Sequence, residues 1–335
     1  MRDLRRWWQY WDDFWFAPTG TFHLGLFRAL IGTCMFIMYS IRLSDFDFLF
    51  GRESFRPGAQ AWDLLPAYMT PPMRWFPTDI SILYGLHWVF VIGLGLWTVG
   101  LGGRILTVAL FALQVGFFQQ NFATAYGADL IALHWLLYLS LTHQSDSFSV
   151  LNYWRRWRGR AVQIANVQRG GLTRVGLRFV QIQLALIYAF SGVEKLKGGP
   201  WWEGTAVWVT LTNRDLVDYD FSFLAQWPLV AFLASFLPLV WEIYFPFLVI
   251  SKKTRAWALG FGVIFHFFIG WLMNLPFFAV LMVSSYVLFW PSEAVQKVWQ
   301  WGAQTFLVGA HSLVGIFRKK IVRTANGDLV GGNTL

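Results

Sequence analysis

The sequence has little charge and almost no cysteine. Of its 335 residues only 13% are Asp, Glu, Lys or Arg, whereas 56% are apolar, and the mean hydropathy is positive. This composition excludes the soluble globular class. The one cysteine, Cys34, lies in an apolar run, which excludes an internal disulfide and any CxxC redox or zinc motif.

Several site motifs are also missing. The sequence has no HExxH motif, no His-xxx-His pair and only scattered carboxylates, so no metal site is predicted. Its Gly-Gly pairs lack the strand-to-helix context of a phosphate-binding loop, and no Ser/His/Asp signature stands out. The N-terminal stretch "MRDLRRWWQYWDDFWF" has no apolar h-region and no cleavage site. We therefore expect residues 1–21 to form an amphipathic segment on the membrane surface.

Long apolar runs and tryptophan are abundant instead. A bilayer core of about 30 Å needs about 20 helical residues, and the 21 tryptophans suit two interfacial belts. The predicted fold is an all-α integral membrane protein, a bundle of about eight transmembrane helices in a domain of residues 22–291, followed by a basic segment of residues 292–335. The predicted spans are 22–42, 80–100, 104–122, 128–143, 177–197, 226–250, 256–273 and 275–291.

The charges in the loops predict an orientation. Basic loops such as "NYWRRWRGR" and "SKKTR" alternate with acidic or balanced ones, and the two long loops, 43–79 and 198–225, belong to the acidic set. This is a positive-inside pattern with both termini in the cytoplasm. Because the net charge of +9 lies in short loops between apolar spans, it indicates membrane orientation and no nucleic-acid partner.

The stretch "YAFSGVEKLKGGPWWEG", residues 188–204, places charge at the end of an apolar span. Lys195 is interpreted in two ways. It extends to the interface, as terminal lysines commonly do, or it serves as a partly desolvated general base. The second interpretation is favoured by a polar stripe at helical spacing, formed by Gln181, Tyr188, Ser191 and Lys195, which is expected to face protein or a cavity. The neighbouring Glu194 points about 100° away and either helps to neutralise Lys195 at an angle or pairs elsewhere.

Four further polar residues lie in apolar spans. Glu242 either hydrogen-bonds backbone groups freed by a proline kink or belongs to the site. His266 either packs as a hydrogen-bonded core histidine, or it relays a proton or contacts a quinone oxygen. Asp129 opens a span, where the helix dipole favours a carboxylate. Arg28 needs a partner inside the bundle, which we expect to be one of these carboxylates.

These segments resemble the vitamin K-dependent γ-carboxylase superfamily, including its bacterial horizontally transferred transmembrane (HTTM) relatives. The similarity lies in "YAFSGVEKL…WWEGTAVW", in the histidine-bearing "FHFFIGWLMNLPFFAVLMVSSYVLF", in the carboxylate Glu242 and in "LFRALIG". The resemblance implies a bacterial inner-membrane location and a desolvated lysine, matched by Lys195, that deprotonates vitamin K hydroquinone. In the family the oxygenated quinone then abstracts a proton from a glutamate, and the carbanion captures CO2. The family's Asn-His pair is replaced here by "GAD" at residues 127–129, which argues against carboxylation of a peptide.

Two functions are therefore expected from the sequence. The first is an enzyme, a lyase or oxidoreductase, in which a reduced quinone of the vitamin K hydroquinone type is the cofactor or substrate. Its catalytic residues would be Lys195, Glu194 and His266, in a pocket formed by Tyr188, Ser191, Trp201, Trp202, Glu203, Asp129, Glu242 and Arg28, with Trp201, Trp202 and Glu203 at its mouth. The second is a non-enzymatic membrane factor that binds, matures or exports a secreted peptide, or acts with a soluble companion protein. A structural bundle with incidental charges is the third possibility.

Overall fold

The computed structural model describes residues 2–51, 54, 76–121, 124–159 and 167–305. Within these ranges the protein is all-α apart from one two-stranded antiparallel sheet, in which Thr19 pairs with Arg169 and Gly20 with Gln168. The chain divides into two compact units after Ser292. The domain boundaries drawn from the sequence stay predictions.

The first unit contains thirteen described α-helices and two strands, labelled here in chain order. They are α1 Arg2–Phe16, β1 Thr19–Gly20, α2 Phe22–Ile41, α3 Phe46–Phe50, α4 Ile80–Thr98, α5 Gly103–Gln120, α6 Gly127–Ser140, α7 Val150–Trp157, β2 Gln168–Arg169, α8 Leu172–Lys195, α9 Gly199–Trp202, α10 Ala206–Leu211, α11 Pro228–Ile250, α12 Arg255–Leu272 and α13 Pro276–Ser284. Short 3-10 helices cover Ser222–Gln226 and Ser285–Phe289. In the second unit the described residues, up to Thr305, are helical.

Five of the described helices, α2, α4, α8, α11 and α12, are long and apolar enough to cross a membrane. A sixth span is counted only if Pro276–Phe289 and Ser292–Thr305 are taken as one broken segment. The prediction of an all-α protein with several membrane-spanning helices is therefore confirmed, whereas the count of eight spans stays a prediction. Helix α6 has only 14 residues, about 21 Å at 1.5 Å per residue, which is shorter than the hydrocarbon core. Helix α5 carries glutamines such as Gln114, which lower its hydropathy.

Helices α5 and α6 are held in the bundle by packing against neighbouring helices. Helix α5 packs on α6, α6 packs on α8 and α13, and α2 packs on α4. The side chains of Trp97, Trp135 and Leu136 are completely buried. Because much of α6 faces protein and not lipid, its length does not have to match the bilayer.

The outer surface of α11 and α12 is strongly apolar. Phe247, Ile250, Trp257 and Phe267 expose between 60% and 82% of their surface. Large apolar side chains exposed to this extent on neighbouring helices are unfavourable in water and suit contact with lipid. Helix α1 also exposes Trp7 and Trp8.

Helix starts follow local sequence. Asp79 caps α4, because its Oδ1 accepts hydrogen bonds from the backbone N–H groups of Ser81 and Ile82 at 2.9 and 3.1 Å. Pro228 and Pro276 occupy the first positions of α11 and α13, where the missing N–H costs nothing.

Candidate functional site

Lys195, the last residue of α8, joins a compact polar cluster. Its Nζ donates hydrogen bonds to Glu242 Oε2 at 2.5 Å and to Ser191 Oγ at 2.7 Å. Ser191 Oγ in turn donates to Glu242 Oε1 at 3.2 Å. The three side chains close a ring of hydrogen bonds in which both carboxylate oxygens are used.

The cluster lies deep in the bundle although Lys195 ends its helix. Glu242 is 14 residues after the start of α11, which is about 21 Å along the helix at 1.5 Å per residue. Its side chain is 3% exposed and that of Lys195 is 21% exposed. Helices α9 and α10 pack against α11 beyond this point, where Val207 N donates to Ser235 Oγ at 3.0 Å. The amine is therefore directed towards Glu242 inside the bundle, which favours the interpretation of a partly desolvated lysine.

A glycine allows the two helices to approach at this level. A Cβ at Gly192 would lie 2.7 Å from Ile243 Cγ1, 3.0 Å from the backbone nitrogen of Ile243 and 3.2 Å from Glu242 Cβ. Any larger residue would push α8 and α11 apart, because backbone atoms cannot rotate away. Gly192 therefore sets the separation that brings Lys195 and Glu242 into contact.

A second hydrogen-bonded group lies one to two turns further inside. The hydroxyl of Tyr188 lies 2.7 Å from His266 Nε2 and 2.6 Å from the hydroxyl of Tyr286. Trp241 and Phe245 pack on the Tyr188 ring at centroid distances of 4.7 and 4.4 Å. The structure thus brings Tyr188, Ser191 and Lys195 together on the face of α8 that contacts α11 and α12.

Only one of the two ring nitrogens of His266 has a hydrogen-bond partner among the described residues. Its Nε2 contacts Tyr188, while its Nδ1 is buried and has no hydrogen-bond partner among the described residues. The side chain is 1% exposed and lies against the ring of Phe278 at a centroid distance of 5.7 Å. An unpaired buried imidazole nitrogen is costly unless a ligand or water completes it.

The residues expected at the pocket mouth separate into two groups. The ring of Trp201 lies beside the Lys195 amine, with 5.4 Å between Nζ and the ring centroid, a cation–π distance. Trp202 is 67% exposed and its Nε1 donates to the carbonyl of Leu196 at 2.8 Å. Glu203 is also exposed. Of these three residues, Trp201 is the one that touches the cluster.

Glu194 lies away from the cluster, contrary to the expected catalytic role. Its carboxylate pairs with Lys197 Nζ at 2.6 Å, and both side chains are more than 60% exposed. Successive residues on a helix point about 100° apart, so Glu194 and Lys195 face different surroundings. Glu242, from another helix, is the carboxylate that neutralises Lys195.

Arg28 and Asp129 also lie outside the Lys195 cluster. Arg28 is fully buried, and its guanidinium donates to the backbone carbonyls of Gln144, at 3.0 Å, and Phe148. The expectation of a carboxylate partner for Arg28 is wrong, because the loop after α6 supplies carbonyl oxygens instead. That loop contacts the start of α8 through His143, at the opposite end of α8 from Lys195.

Asp129 binds Arg42, a residue that the sequence did not single out. The guanidinium donates to both carboxylate oxygens at 2.7 and 2.8 Å. The hydroxyl of Tyr39 donates to Oδ1 at 2.8 Å, and the N–H of Tyr126 donates to Oδ2 at 3.2 Å. Asp129 therefore does form contacts at the start of its helix, as expected of a dipole-stabilised carboxylate, but it belongs to a second cluster.

The Lys195 cluster is a proton-transfer arrangement in chemical terms. An amine, a carboxyl group and a hydroxyl lie within hydrogen-bond distance in apolar surroundings, and a proton can pass between the amine and the carboxylate along the 2.5 Å contact. In the part of the chain that the structure describes, no three His, Cys, Asp or Glu side chains form a group that would hold a metal ion.

Comparison with protein-family models, curated proteins and solved structures finds no match. The fold is all-α, with several apolar helices of membrane-spanning length. The resemblance to γ-carboxylases and HTTM proteins stays an expectation from the sequence motifs.

Proposed function

We propose that the chain is a multi-pass membrane protein whose Lys195 cluster removes a proton from a lipid-soluble, quinol-like substrate. One observation carries this proposal: the Lys195 amine is held 2.5 Å from Glu242 and 2.7 Å from Ser191, midway along an apolar helix bundle. Ionisable residues inside membrane bundles are rare, and each one is by default a hypothesis for a functional site.

The base in this proposal is the Lys195–Glu242 pair and not an isolated amine. In the ion pair, Lys195 holds its proton and cannot accept another. When the proton moves to Glu242, the amine becomes neutral and can accept a proton from a bound hydroxyl group. Because charges are costly in apolar surroundings, the neutral form of such a pair is accessible. Ser191 keeps its hydrogen bonds in both forms.

The surrounding side chains fit a flat ring bearing hydroxyl groups. Trp201 offers an aromatic face next to the amine, and the unpartnered Nδ1 of His266 offers a hydrogen-bonding group on the other side of Tyr188. Aromatic walls with a few polar groups are typical of sites for apolar ligands. The motif around residues 188–204 supports membership of the γ-carboxylase-like family, in which oxygenation and carboxylation would follow proton removal.

The proposal includes an orientation. The positive-inside pattern supports placing both termini in the cytoplasm of a bacterial inner membrane. The long segment after α8 then faces the other side of the membrane. A quinol-like substrate would reach Lys195 from the lipid phase, near Trp201.

The test compares Lys195 with a neighbouring lysine. Lys195→Met removes the amine, Lys195→Arg keeps a charge that does not dissociate, and Lys197→Met removes an exposed lysine paired with Glu194. Each variant is purified from its membrane, bound quinones are identified by mass spectrometry, and conversion of added vitamin K hydroquinone is followed. We expect wild type and Lys197→Met to convert the quinol, and both Lys195 variants to lose conversion by about 100-fold or more.

Two outcomes would overturn the proposal. If Lys195→Met converts the quinol as wild type does, the amine is not the base. If only phospholipid copurifies and no quinol is converted, the site does not serve this substrate, and the non-enzymatic peptide factor becomes the better hypothesis.

A further inference from the structure

A second polar site lies around Asp129, separate from the Lys195 cluster. A cavity of about 30 Å³ is lined by residues from α2, α3, α4, α5 and the start of α6, among them Tyr39, His87, Gln114, Phe117, Asn121 and Asp129. It borders Arg42, which is 24% exposed and so lies at the edge of the bundle. The proposed function does not use this site.

Three residues of this cavity carry buried polar atoms with no hydrogen-bond partner in the described part of the chain. They are His87 Nδ1, Gln114 Oε1 and Asn121 Oδ1. Each of the three residues is 2% exposed. Buried polar atoms are nearly always paired, so three such atoms at one cavity indicate a site for a hydrogen-bonding ligand.

Their hydrogen-bonding character is fixed by the other end of each side chain. His87 Nε2 lies 2.9 Å from the carbonyl of Tyr39, which can only accept, so Nε2 carries the hydrogen and Nδ1 of the neutral ring is an acceptor. Gln114 Nε2 donates to the carbonyl of Asp129 at 3.0 Å, and Asn121 Nδ2 donates to the carbonyl of Leu49 at 2.5 Å. The amide oxygens are therefore the free atoms, and all three are acceptors.

The nearby charged pair does not satisfy these acceptors. Asp129 is fully occupied by Arg42, Tyr39 and the N–H of Tyr126, and it balances the charge of Arg42. A ligand that suits these three acceptors is a compact group with several N–H or O–H donors. Aromatic rings of Phe50 and Phe117 also line it, and these favour a cation.

We propose that this cavity binds a primary ammonium group. Such a group has three N–H donors, which matches the three acceptors, and its positive charge suits the aromatic lining. A water molecule has only two donors and no charge. The ammonium group can belong to a lipid headgroup such as phosphatidylethanolamine, since the cavity lies at the helix ends, or to a free amine.

The test uses methylammonium as the probe on the full chain purified in detergent. Thermal unfolding is measured against rising methylammonium chloride, with tetramethylammonium chloride and sodium chloride at the same ionic strength. Tetramethylammonium is a cation without N–H donors, so it separates hydrogen bonding from charge. We expect a saturable rise of the unfolding midpoint with methylammonium only, because ligands of the native state stabilise it.

A matched pair of variants locates the effect. Asn121→Leu removes one acceptor, and we expect it to weaken methylammonium binding about tenfold, as for loss of one hydrogen bond to a charged group. His134→Leu alters a histidine of α6 whose Nδ1 contacts its own helix at Leu130, and binding should not change. The comparison of the two cations in wild type holds even if Asn121→Leu does not fold.

Native mass spectrometry distinguishes the two sources. Retention of phosphatidylethanolamine over phosphatidylcholine, with release by methylammonium, supports the lipid headgroup. Saturable methylammonium binding without retained lipid supports a free amine. Equal midpoints with methylammonium and tetramethylammonium, or a methylammonium effect that Asn121→Leu leaves intact, would overturn the proposal and leave a cavity that holds water.

Discussion

Lys195 and Glu242 are 47 positions apart in sequence, yet their side-chain atoms meet at 2.5 Å. The contact joins the end of α8 to the middle of α11. Each partner of this pair is recognisable in the sequence only as a polar residue in an apolar span. In the folded structure the two opposite charges lie in contact and compensate each other.

The pair is expected to stabilise the fold as well as to serve the site. Glu242→Gln removes the charge while keeping shape, and it leaves a mostly buried ammonium without a counter-charge. Loss of one partner of a buried pair costs about 3 kcal/mol or more. We expect the free energy of unfolding, measured by titration with SDS, to fall by about that amount.

Glu194→Gln is the control for this change. Glu194 pairs with Lys197 on the surface, where both side chains are more than 60% exposed. Exposed pairs contribute little, so this variant should unfold like wild type. Equal stability of the two variants would show that the Lys195–Glu242 contact carries no net stabilisation.

Gly192 is expected to be intolerant of even a methyl group. In Gly192→Ala the new Cβ would lie 3.0 Å from the backbone nitrogen of Ile243, which forces α8 away from α11. Overpacking of this kind costs about 1–3 kcal/mol. It should also lengthen the Lys195–Glu242 contact, so quinol conversion should fall together with stability.

Gly260→Ala provides the comparison. Gly260 lies on α12, and a Cβ added there would meet no atom within 4 Å. The substitution should be neutral or slightly stabilising, since alanine is the better helix former. Destabilisation of Gly260→Ala to the same extent would mean that glycine matters for helix flexibility and not for the close approach.

The sequence predicted the helices better than the site. Apolar runs of about 20 residues located α2, α4, α8, α11 and α12, because lipid requires continuous helices of that length. Helix α6 was predicted as a full membrane span but has only 14 residues. The sequence does not show that neighbouring helices shield this helix.

The polar stripe on α8 was found because helical spacing places Tyr188, Ser191 and Lys195 on one face. Their partners depend on which helices are neighbours and at what depth, and one sequence does not contain that information. Arg42 and Tyr286 were missed for this reason. Glu194 was included because it is next to Lys195 in sequence, although neighbouring residues on a helix point in different directions.

His143 is expected to make stability depend on pH. It lies in the loop after α6, outside the spanning helices, where its Nδ1 is 2.7 Å from Thr173 Oγ1. Burial lowers the pKa of His143 below its usual value of 6.5, and Arg104 and Arg169 act in the same direction, against an opposing effect of Asp146. Below pH about 6.5 the unfolded chain therefore takes up a proton that the folded chain resists.

The sign follows from this difference. The contribution of His143 to stability is present above pH 6.5 and is lost as the pH falls through the lowered folded pKa. His143→Gln should unfold with a flatter pH dependence between pH 7 and 5, measured by SDS titration at each pH. Gly260→Ala, which changes no titratable group, should keep the wild-type slope. Identical slopes for all three proteins would remove His143 as the titrating group.

The orientation of the helices can be read from two engineered cysteines. The only native cysteine, Cys34, is buried and 5% exposed, so it should react slowly with a polar maleimide. Lys252→Cys lies in the short basic connection between α11 and α12, and Asn213→Cys lies in the segment after α10; both positions are exposed.

If the basic loops are cytoplasmic, an impermeant maleimide added to intact spheroplasts should label Asn213→Cys at once. Lys252→Cys should react only after the membrane is opened. The reverse pattern would invert the bundle and place the segment next to Trp201 on the cytoplasmic side, and labelling of both without permeabilisation would mean that α11 does not cross the membrane.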